Sequence, residues 1–161
     1  MAIRRILTAE DKSLLKHSRR VELFNRHLHN LLDDMRDTLR EANGAGLAAV
    51  QVGVLRRVCV VQTDEDEDIS ELINPEIIGE EGEQEGPEGC LSVPGVTGLV
   101  KRPQKVTIKA QDRHGKPIIV EAEGLKARAM CHEIDHLDGV LYTCHVLRYL
   151  TDEEVEEMNK K

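Results

Sequence analysis

The longest regular pattern of apolar and polar positions along the chain predicts a helix over residues 13–42. This stretch contains neither glycine nor proline, and its apolar positions recur at steps of three and four residues, as on one face of a helix. Asn43 and Gly44 follow it and are typical of a helix end. The apolar stripe consists of Val21, Phe24, Leu28, Leu31, Leu32, Met35 and Leu39.

Four shorter patterns predict β-strands. The last two alternate apolar and polar positions around a turn at residues 113–115, which favours a hairpin. The acidic run at residues 64–68 separates the first two strands and is predicted to be a solvated turn, with a calcium contact as the alternative. Residues 79–89 are polar, acidic and glycine-rich and are predicted to form a loop. The predicted strands are residues 57–62, 69–78, 105–112 and 117–123.

A second helix is predicted from about Gly124, where apolar residues and histidines recur at helical steps and Gly139 is suited to end the helix. Residues 141–150 are apolar, and Thr151 resembles an N-cap before an acidic first turn. These elements predict an α+β fold in which mostly antiparallel strands pack around the second helix, with the long helix near the N-terminus. No repeat or linker divides residues 1–161, so we expect one domain with an acidic tail from about Thr151.

Composition narrows the expected partners and compartment. The 161 residues carry a formal net charge of −8, no tryptophan and 2% aromatic residues. A nucleic-acid partner is therefore disfavoured, because phosphate neutralisation needs basic clusters and single strands stack on aromatic side chains. No apolar run approaches the length that spans a bilayer, and residues 1–8 lack the apolar region of a signal peptide. We therefore expect a cytoplasmic protein with neither DNA nor a membrane as its partner.

The second helix carries the sequence HEIDH at residues 132–136. Residues four apart lie above one another on one helix face, so His132 and His136 can bind one metal ion. Glu133 then reaches the space beside the ion as a general base. The alternative is an amphipathic helix that carries two histidines without a shared ligand, so a third ligand elsewhere in the chain is needed.

Cys90 is the candidate third ligand. It lies between Gly89 and a turn that contains Pro94, whereas Cys59 lies within an apolar run and is predicted to belong to the core. One thiolate and two imidazoles leave one open position on a tetrahedral ion, a donor set that suits iron(II) or zinc. The alternative for Cys90 is a buried loop thiol.

A glycine-rich stretch at residues 44–51 is a further candidate. Gly44 and Gly46 permit positive φ and leave backbone amides open to a ligand, and Gln51 offers an amide donor and acceptor. A phosphate-binding loop is disfavoured, because the stretch lacks the Lys-Ser/Thr ending and a third glycine at dinucleotide-binding spacing.

Three stretches together resemble the ordered motifs of peptide deformylases. They are residues 44–51 (GAGLAAVQ), 88–92 (EGCLS) and 132–136 (HEIDH), and the similarity extends over about residues 31–140. The resemblance implies a metal-dependent hydrolase that removes the N-terminal formyl group from N-formylmethionyl peptides of nascent chains and releases formate.

The resemblance also implies a metal-binding HExxH helix. One divalent metal would be bound by Cys90, His132 and His136. It would be iron(II) in the cell, with zinc, nickel or cobalt as substitutes.

Catalytic roles follow from the same resemblance. Glu133 would take a proton from the attacking water and return it to the leaving amine. The Gln51 side-chain amide and the Leu91 backbone N–H would stabilise the oxyanion. Glu88 and Arg102 would pair to brace the loop that carries the cysteine, with unpartnered surface positions as the alternative.

Substrate contacts are implied as well. Gly46 would pair with the peptide backbone through its main chain. Leu125 and Ala129, one turn apart on the second helix, are candidates for the wall of an apolar pocket for the methionine side chain, with core packing as the alternative.

This sequence departs from the family pattern at several positions. Val50 replaces a frequent proline, which predicts a less rigid approach to Gln51, and Cys131 replaces the usual glutamine and adds a second thiol near the metal helix. Thr97 stands where some members of the family carry an arginine near the substrate mouth, which predicts altered peptide preferences. Residues 151–158 are acidic where some relatives carry a basic helix, so we expect ribosome association through this tail to be weak.

Two other functions remain open. One is an HExxH metalloendopeptidase, although no further histidine or glutamate ligand is evident downstream at helical spacing. The other is a non-catalytic, metal-stabilised relative that binds N-termini without turnover.

Overall fold

The fold is described by a computed structural model over residues 2–63 and 68–159, so most of the predicted acidic turn lies outside the described residues. The α-helices are α1 (Arg26–Ala42), α2 (Gly124–Leu137) and α3 (Asp152–Asn159). The strands are β1 (Gly46–Ala48), β2 (Val58–Val61), β3 (Ser70–Glu81), β4 (Gln84–Cys90), β5 (Val93–Arg102), β6 (Lys105–Gln111), β7 (Pro117–Glu123) and β8 (Val146–Tyr149). Short 3-10 helices cover Lys12–Leu15, Ala49–Val52 and Tyr142–His145.

The strands form two antiparallel sheets. A five-stranded sheet has the order β1-β2-β3-β6-β7, and a three-stranded sheet has the order β4-β5-β8. Every strand pair in both sheets is antiparallel. The predicted α+β class with mostly antiparallel strands is therefore confirmed.

Strand β2 lies at the centre of the apolar core because both of its faces are covered. Val58 and Val60 pack in one cluster with the apolar face of α1, while Cys59 and Val61 pack in a second cluster with α2. Successive strand residues point to opposite faces, so an uninterrupted apolar run is what this position requires. Cys59 is a core residue, as predicted. The arrangement holds α2 against the five-stranded sheet.

The predicted helix over residues 13–42 is wrong in its first half, because α1 begins at Arg26. Asn25 caps the helix, its side-chain oxygen accepting from Leu28 N–H at 3.2 Å. Upstream, the backbone hydrogen bonds go to other segments: Val21 N–H donates to the Asn74 side chain at 2.8 Å, and Arg19 N–H donates to Leu55 O at 2.9 Å. Tertiary partners therefore outweigh the helical spacing in this stretch.

The predicted loop over residues 79–89 is also wrong. Strand β3 continues to Glu81, the chain turns at Gly82 with φ +65°, and β4 then runs to Cys90. The polar composition fits a strand with an exposed face, since β4 pairs with β5 and buries Glu88 while Glu85 is exposed. β5 and β8, which no pattern predicted, complete this sheet.

Other predicted elements are confirmed. β6 and β7 form the hairpin around residues 113–115, and α2 starts at Gly124. Asn43 adopts φ +54° at the end of α1, and Gly139 adopts φ +74° just after α2. α3 begins directly after Thr151 and has acidic residues in its first turn. None of the described helices is long and apolar enough to cross a membrane.

Gly139→Ala should destabilise the protein more than Gly53→Ala. Both glycines have positive φ, but a Cβ at Gly139 would lie 2.5 Å from Leu15 O, whereas a Cβ at Gly53 meets no atom within 4 Å. We expect Gly53→Ala to cost about 1–2 kcal/mol from backbone strain alone, and Gly139→Ala to cost more because the packed main chain must move. Urea unfolding measures both; equal losses would contradict the close approach.

Candidate active site

Three metal-type donors converge between β4 and α2. The Sγ of Cys90 lies 3.4 Å from Nε2 of His136, and the Nε2 atoms of His136 and His132 are 3.2 Å apart. All three donor atoms lie within 4.8 Å of one another. The histidines are four residues apart on α2 and are buried, and Cys90 ends β4. The sequence-predicted set of donors is therefore brought together in space.

The turn after β4 orients the side chain of Cys90 towards α2. Cys90 pairs with Val93 across a turn of two residues, and the register shifts between Glu88 and Cys90. Within this turn the Ser92 N–H donates to Cys90 Sγ at 3.4 Å. An irregular register of this kind re-aims a side chain relative to a regular ladder.

Glu88 fixes the orientation of His132. Its Oε1 accepts from Nδ1 of His132 at 2.9 Å, and its two oxygens accept from the Arg102 guanidinium at 2.8 and 2.9 Å. Although burial opposes the charge, hydrogen bonds from Arg102 and His132 lower the pKa of Glu88 to about 2. The carboxylate is ionised, so His132 carries a proton on Nδ1 and its Nε2 faces the other donors.

Arg128 adds a second guanidinium to this carboxylate, which the sequence analysis missed. Its NH1 donates to Glu88 at 2.7 Å and to the main-chain oxygens of Gly86 and Val100. The signal was present: Arg128 is a charged residue four positions before His132, on the buried face of α2. The predicted pairing of Glu88 with Arg102 is observed, and Arg102 also donates to Asp135 at 2.7 Å.

The electrostatics of the centre favour a cation. Burial opposes a charge on His132, but the negative charge of Glu133 and hydrogen bonds to Cys90 and Glu88 raise its pKa to about 10. Burial lowers the pKa of the neighbouring His136 to about 3, and the charge of His132 adds to this effect. The carboxylates of Glu88 and Glu133 therefore favour a positive charge at the place where the three donors meet.

Glu133 is buried beside these donors. Burial raises its pKa to about 7, in the range suited to proton exchange near neutral pH. Its Oε1 has no hydrogen-bond partner among the described residues. The carboxylate lies against Gly46, where a Cβ would fall 2.5 Å from Glu133 Oε2. Only glycine leaves room for this carboxylate.

Gln51 lies on the other side of the cysteine. Its Oε1 accepts from Ala48 N–H at 2.9 Å, and its Nε2 donates to Ser92 Oγ at 3.0 Å with Cys90 Sγ at 3.6 Å. The amide group is therefore oriented from both ends. Sequence reasoning missed the contribution of Ser92, a fully buried hydroxyl within the EGCLS stretch.

A cavity of about 370 Å³ opens onto these groups. It is lined by every predicted site residue except His136, including Gly46, Leu91, Leu125 and Ala129. Leu125 is 56% exposed, which excludes core packing as its role, whereas Ala129 is buried and belongs to both the core and the cavity wall.

Cys131, the second thiol on α2, packs in the core, and among the described residues it is not part of the donor cluster.

Comparison with known proteins agrees with this geometry. A family profile described as polypeptide deformylase matches residues 3–150. The chain belongs to this family. A peptide deformylase from Caldicellulosiruptor bescii is 56% identical over 161 residues, covering 100% of this chain and 96% of the relative. Peptide deformylase 1 of Bacillus subtilis is 46% identical over 158 residues, covering 98% and 99% of the two chains.

A solved structure agrees as well. The crystal structure of a peptide deformylase from Legionella pneumophila superposes with a TM-score of 0.87 at 42% identity, covering 99% of this chain and 93% of that chain. Peptide deformylases are metal-dependent hydrolases that remove the N-terminal formyl group of nascent polypeptides, and the chain carries that activity as a member of the family.

Glu88→Gln should destabilise the protein strongly. Removing the charge leaves two buried guanidiniums without their shared carboxylate, and loss of one partner from a buried ion pair costs roughly 3–5 kcal/mol. Urea unfolding of the metal-free protein measures the effect. The matched control is Glu154→Gln, which removes the partner of Arg148 from an exposed pair and should change stability little. Similar effects of both substitutions would contradict the role given to Glu88.

Proposed function

We propose that Cys90, His132 and His136 hold one divalent metal ion at the centre of the deformylation reaction. The observation that supports this most is the convergence of a thiol and two imidazole nitrogens, with the tautomer of His132 set by Glu88. A divalent ion held there supplies a Lewis acid that polarises the formyl oxygen and acidifies water. The mixed sulfur and nitrogen set suits iron(II) in the cell, with zinc, nickel or cobalt as substitutes.

Glu133 moves the proton in this proposal. It takes a proton from the attacking water, and then returns it to the leaving amine as formate departs. Its burial, its raised pKa of about 7 and the unpartnered Oε1 support the role, because the carboxylate can accept a proton near neutral pH without losing a hydrogen bond to a described residue.

Gln51 and Leu91 stabilise the oxyanion that develops on the formyl group. The Gln51 Nε2 group lies beside the donor cluster and is held by Ser92, and Leu91 follows Cys90 directly, so its N–H belongs to the same turn. Preorganised donors of this kind lower the barrier because they need no rearrangement as charge develops.

The peptide binds along β1 and its side chain enters the cavity. β1 is the terminal strand of the described five-stranded sheet and pairs with β2 alone, so the main chain of Gly46 can add an extended peptide by strand addition. Leu125 and Ala129 line the cavity, whose surface is mostly apolar, and these walls suit a methionine side chain.

Glu133→Gln should strongly lower turnover while leaving the metal in place. The substitution keeps the shape of the side chain but removes the proton acceptor, so formate release from a formyl-Met-Ala-Ser peptide should fall by roughly 10²–10⁴-fold. Metal content should equal that of the parent. Glu121→Gln, on the exposed outer face of β7, is the matched control and should retain activity. Turnover by Glu133→Gln at the parental rate would exclude this role.

The two other functions give different results in the same assay. A metalloendopeptidase would cut a blocked internal peptide without releasing formate. A non-catalytic relative would bind formyl-methionyl peptides and hold one metal, yet release nothing. The residues proposed as base, oxyanion donors and metal ligands lie together around one cavity, which supports the catalytic function.

We also propose a cytoplasmic enzyme that acts on nascent chains with weak ribosome association through its tail. α3 carries Asp152, Glu153 and Glu154 in its first turn, and this charge is repelled by ribosomal RNA. Full-length protein and a form that lacks residues 151–161 should cosediment equally poorly with ribosomes at physiological salt. Salt-sensitive cosedimentation that disappears with the deletion would contradict the proposal.

A further inference from the structure

The segment of residues 2–9, called the strap below, is anchored on α1. Ala2 N–H donates to Asp34 Oδ1 at 2.7 Å, and Arg4 N–H donates to Thr38 Oγ1 at 2.9 Å. Asp34 and Thr38 are buried positions one turn apart on α1. These two hydrogen bonds therefore fix the position of the first residues of the strap on α1.

From this anchor the strap reaches two segments of the active site. Leu7 N–H donates to the main-chain oxygen of Gln51 at 2.7 Å, and Ala9 N–H donates to the main-chain oxygen of Ser92 at 2.7 Å. Gln51 and Ser92 are themselves joined by their side chains and are almost fully buried. Two short backbone hydrogen bonds thus tie the strap to both members of that pair.

We propose that the strap is a positioning element for the oxyanion donors, acting through the main chains of Gln51 and Ser92. Gln51 belongs to a 3-10 helix and Ser92 to the turn after β4, so the two are brought together only by tertiary structure. The strap donates a hydrogen bond to the main chain of each of them, and these two bonds fix their separation. This inference rests on the proposed function, because it assigns the strap to the donors of that reaction.

The physical reason is the steep dependence of rate on donor position. Oxyanion donors stabilise the transition state only when they lie next to the atom on which charge develops. A change far from the reacting atoms that displaces such a group by about 1 Å can lower the rate on the order of 10²-fold. The Ser92 N–H also donates to Cys90 Sγ, so a movement of this turn would also displace the cysteine of the donor cluster. The strap needs no contact with the substrate to affect turnover.

The test replaces single N–H groups of the strap by ester oxygens. α-Hydroxy acid analogues at Leu7 and at Ala9 remove one donor each and keep the side chains, which matters because Leu7 packs against the core. The matched control is the same replacement at Thr8, whose N–H makes no hydrogen bond to a described residue. Ala9→Pro, which also lacks the N–H, is a second variant made by ordinary mutagenesis.

We expect the esters at Leu7 and Ala9 to lower kcat roughly 10-fold or more at unchanged KM and metal content, well below the unfolding temperature. The ester at Thr8 should leave kcat unchanged. In a Gln51→Ala background the ester at Leu7 should lower kcat little further, since its effect passes through Gln51.

Three results would overturn the proposal. The first is a loss of stability with kcat retained, which would make the strap a purely structural element. The second is a full additional loss of kcat in the Gln51→Ala background. The third is an unmodified, metal-loaded protein that releases no formate, which overturns the proposed function and this inference together, whereas the first two leave the proposed function standing.

Discussion

The active site depends on one buried negative charge, the carboxylate of Glu88. This group accepts hydrogen bonds from Arg102, Arg128 and His132, which lie on β5 and α2, while Glu88 itself lies on β4. A buried carboxylate is stable only when its partners are in place, so the charge forces the hairpin and the helix into one geometry. That geometry brings Cys90 within reach of both histidines.

The rest of the fold keeps α2 in position for this contact. α2 packs on one face of β2 and α1 packs on the other face, so both helices are held against the same strand. Gly46, at the edge of the same sheet, makes room for the Glu133 carboxylate. The strap runs from α1 to the 3-10 helix that carries Gln51 and to the turn that carries Ser92. The proposed metal ligands, base and oxyanion donors are thus held by different segments of the fold.

The sequence predicted those parts of the structure that local pattern encodes. The periodicity of α2 was sufficient to place His132, Glu133 and His136 on the right element, and the alternation of β6 and β7 predicted their hairpin. Cys90 was assigned to a loop, whereas it ends β4. Residues 13–25 were misread because their backbone partners, such as Leu55 and Asn74, lie far away in sequence. Residues 79–89 were misread because their polar, glycine-rich composition alone favours a loop, although β4 pairs with the next strand along the chain. Arg128 and Ser92 were missed because their partners, Glu88 and Gln51, lie about 40 residues away in sequence. The metal ligands, base and oxyanion donors inferred from the motifs remain predictions.

The most direct test of the account is a metal titration of protein prepared anaerobically and stripped of metal. Formate release from a formyl-Met-Ala-Ser peptide would be measured as iron(II) or cobalt(II) is added. The account predicts a linear rise that saturates at about one ion per chain, as expected for a single three-ligand site with one open position, and no rise in a Cys90→Ala variant. Formate release without metal, or full activation of the Cys90→Ala variant, would contradict it.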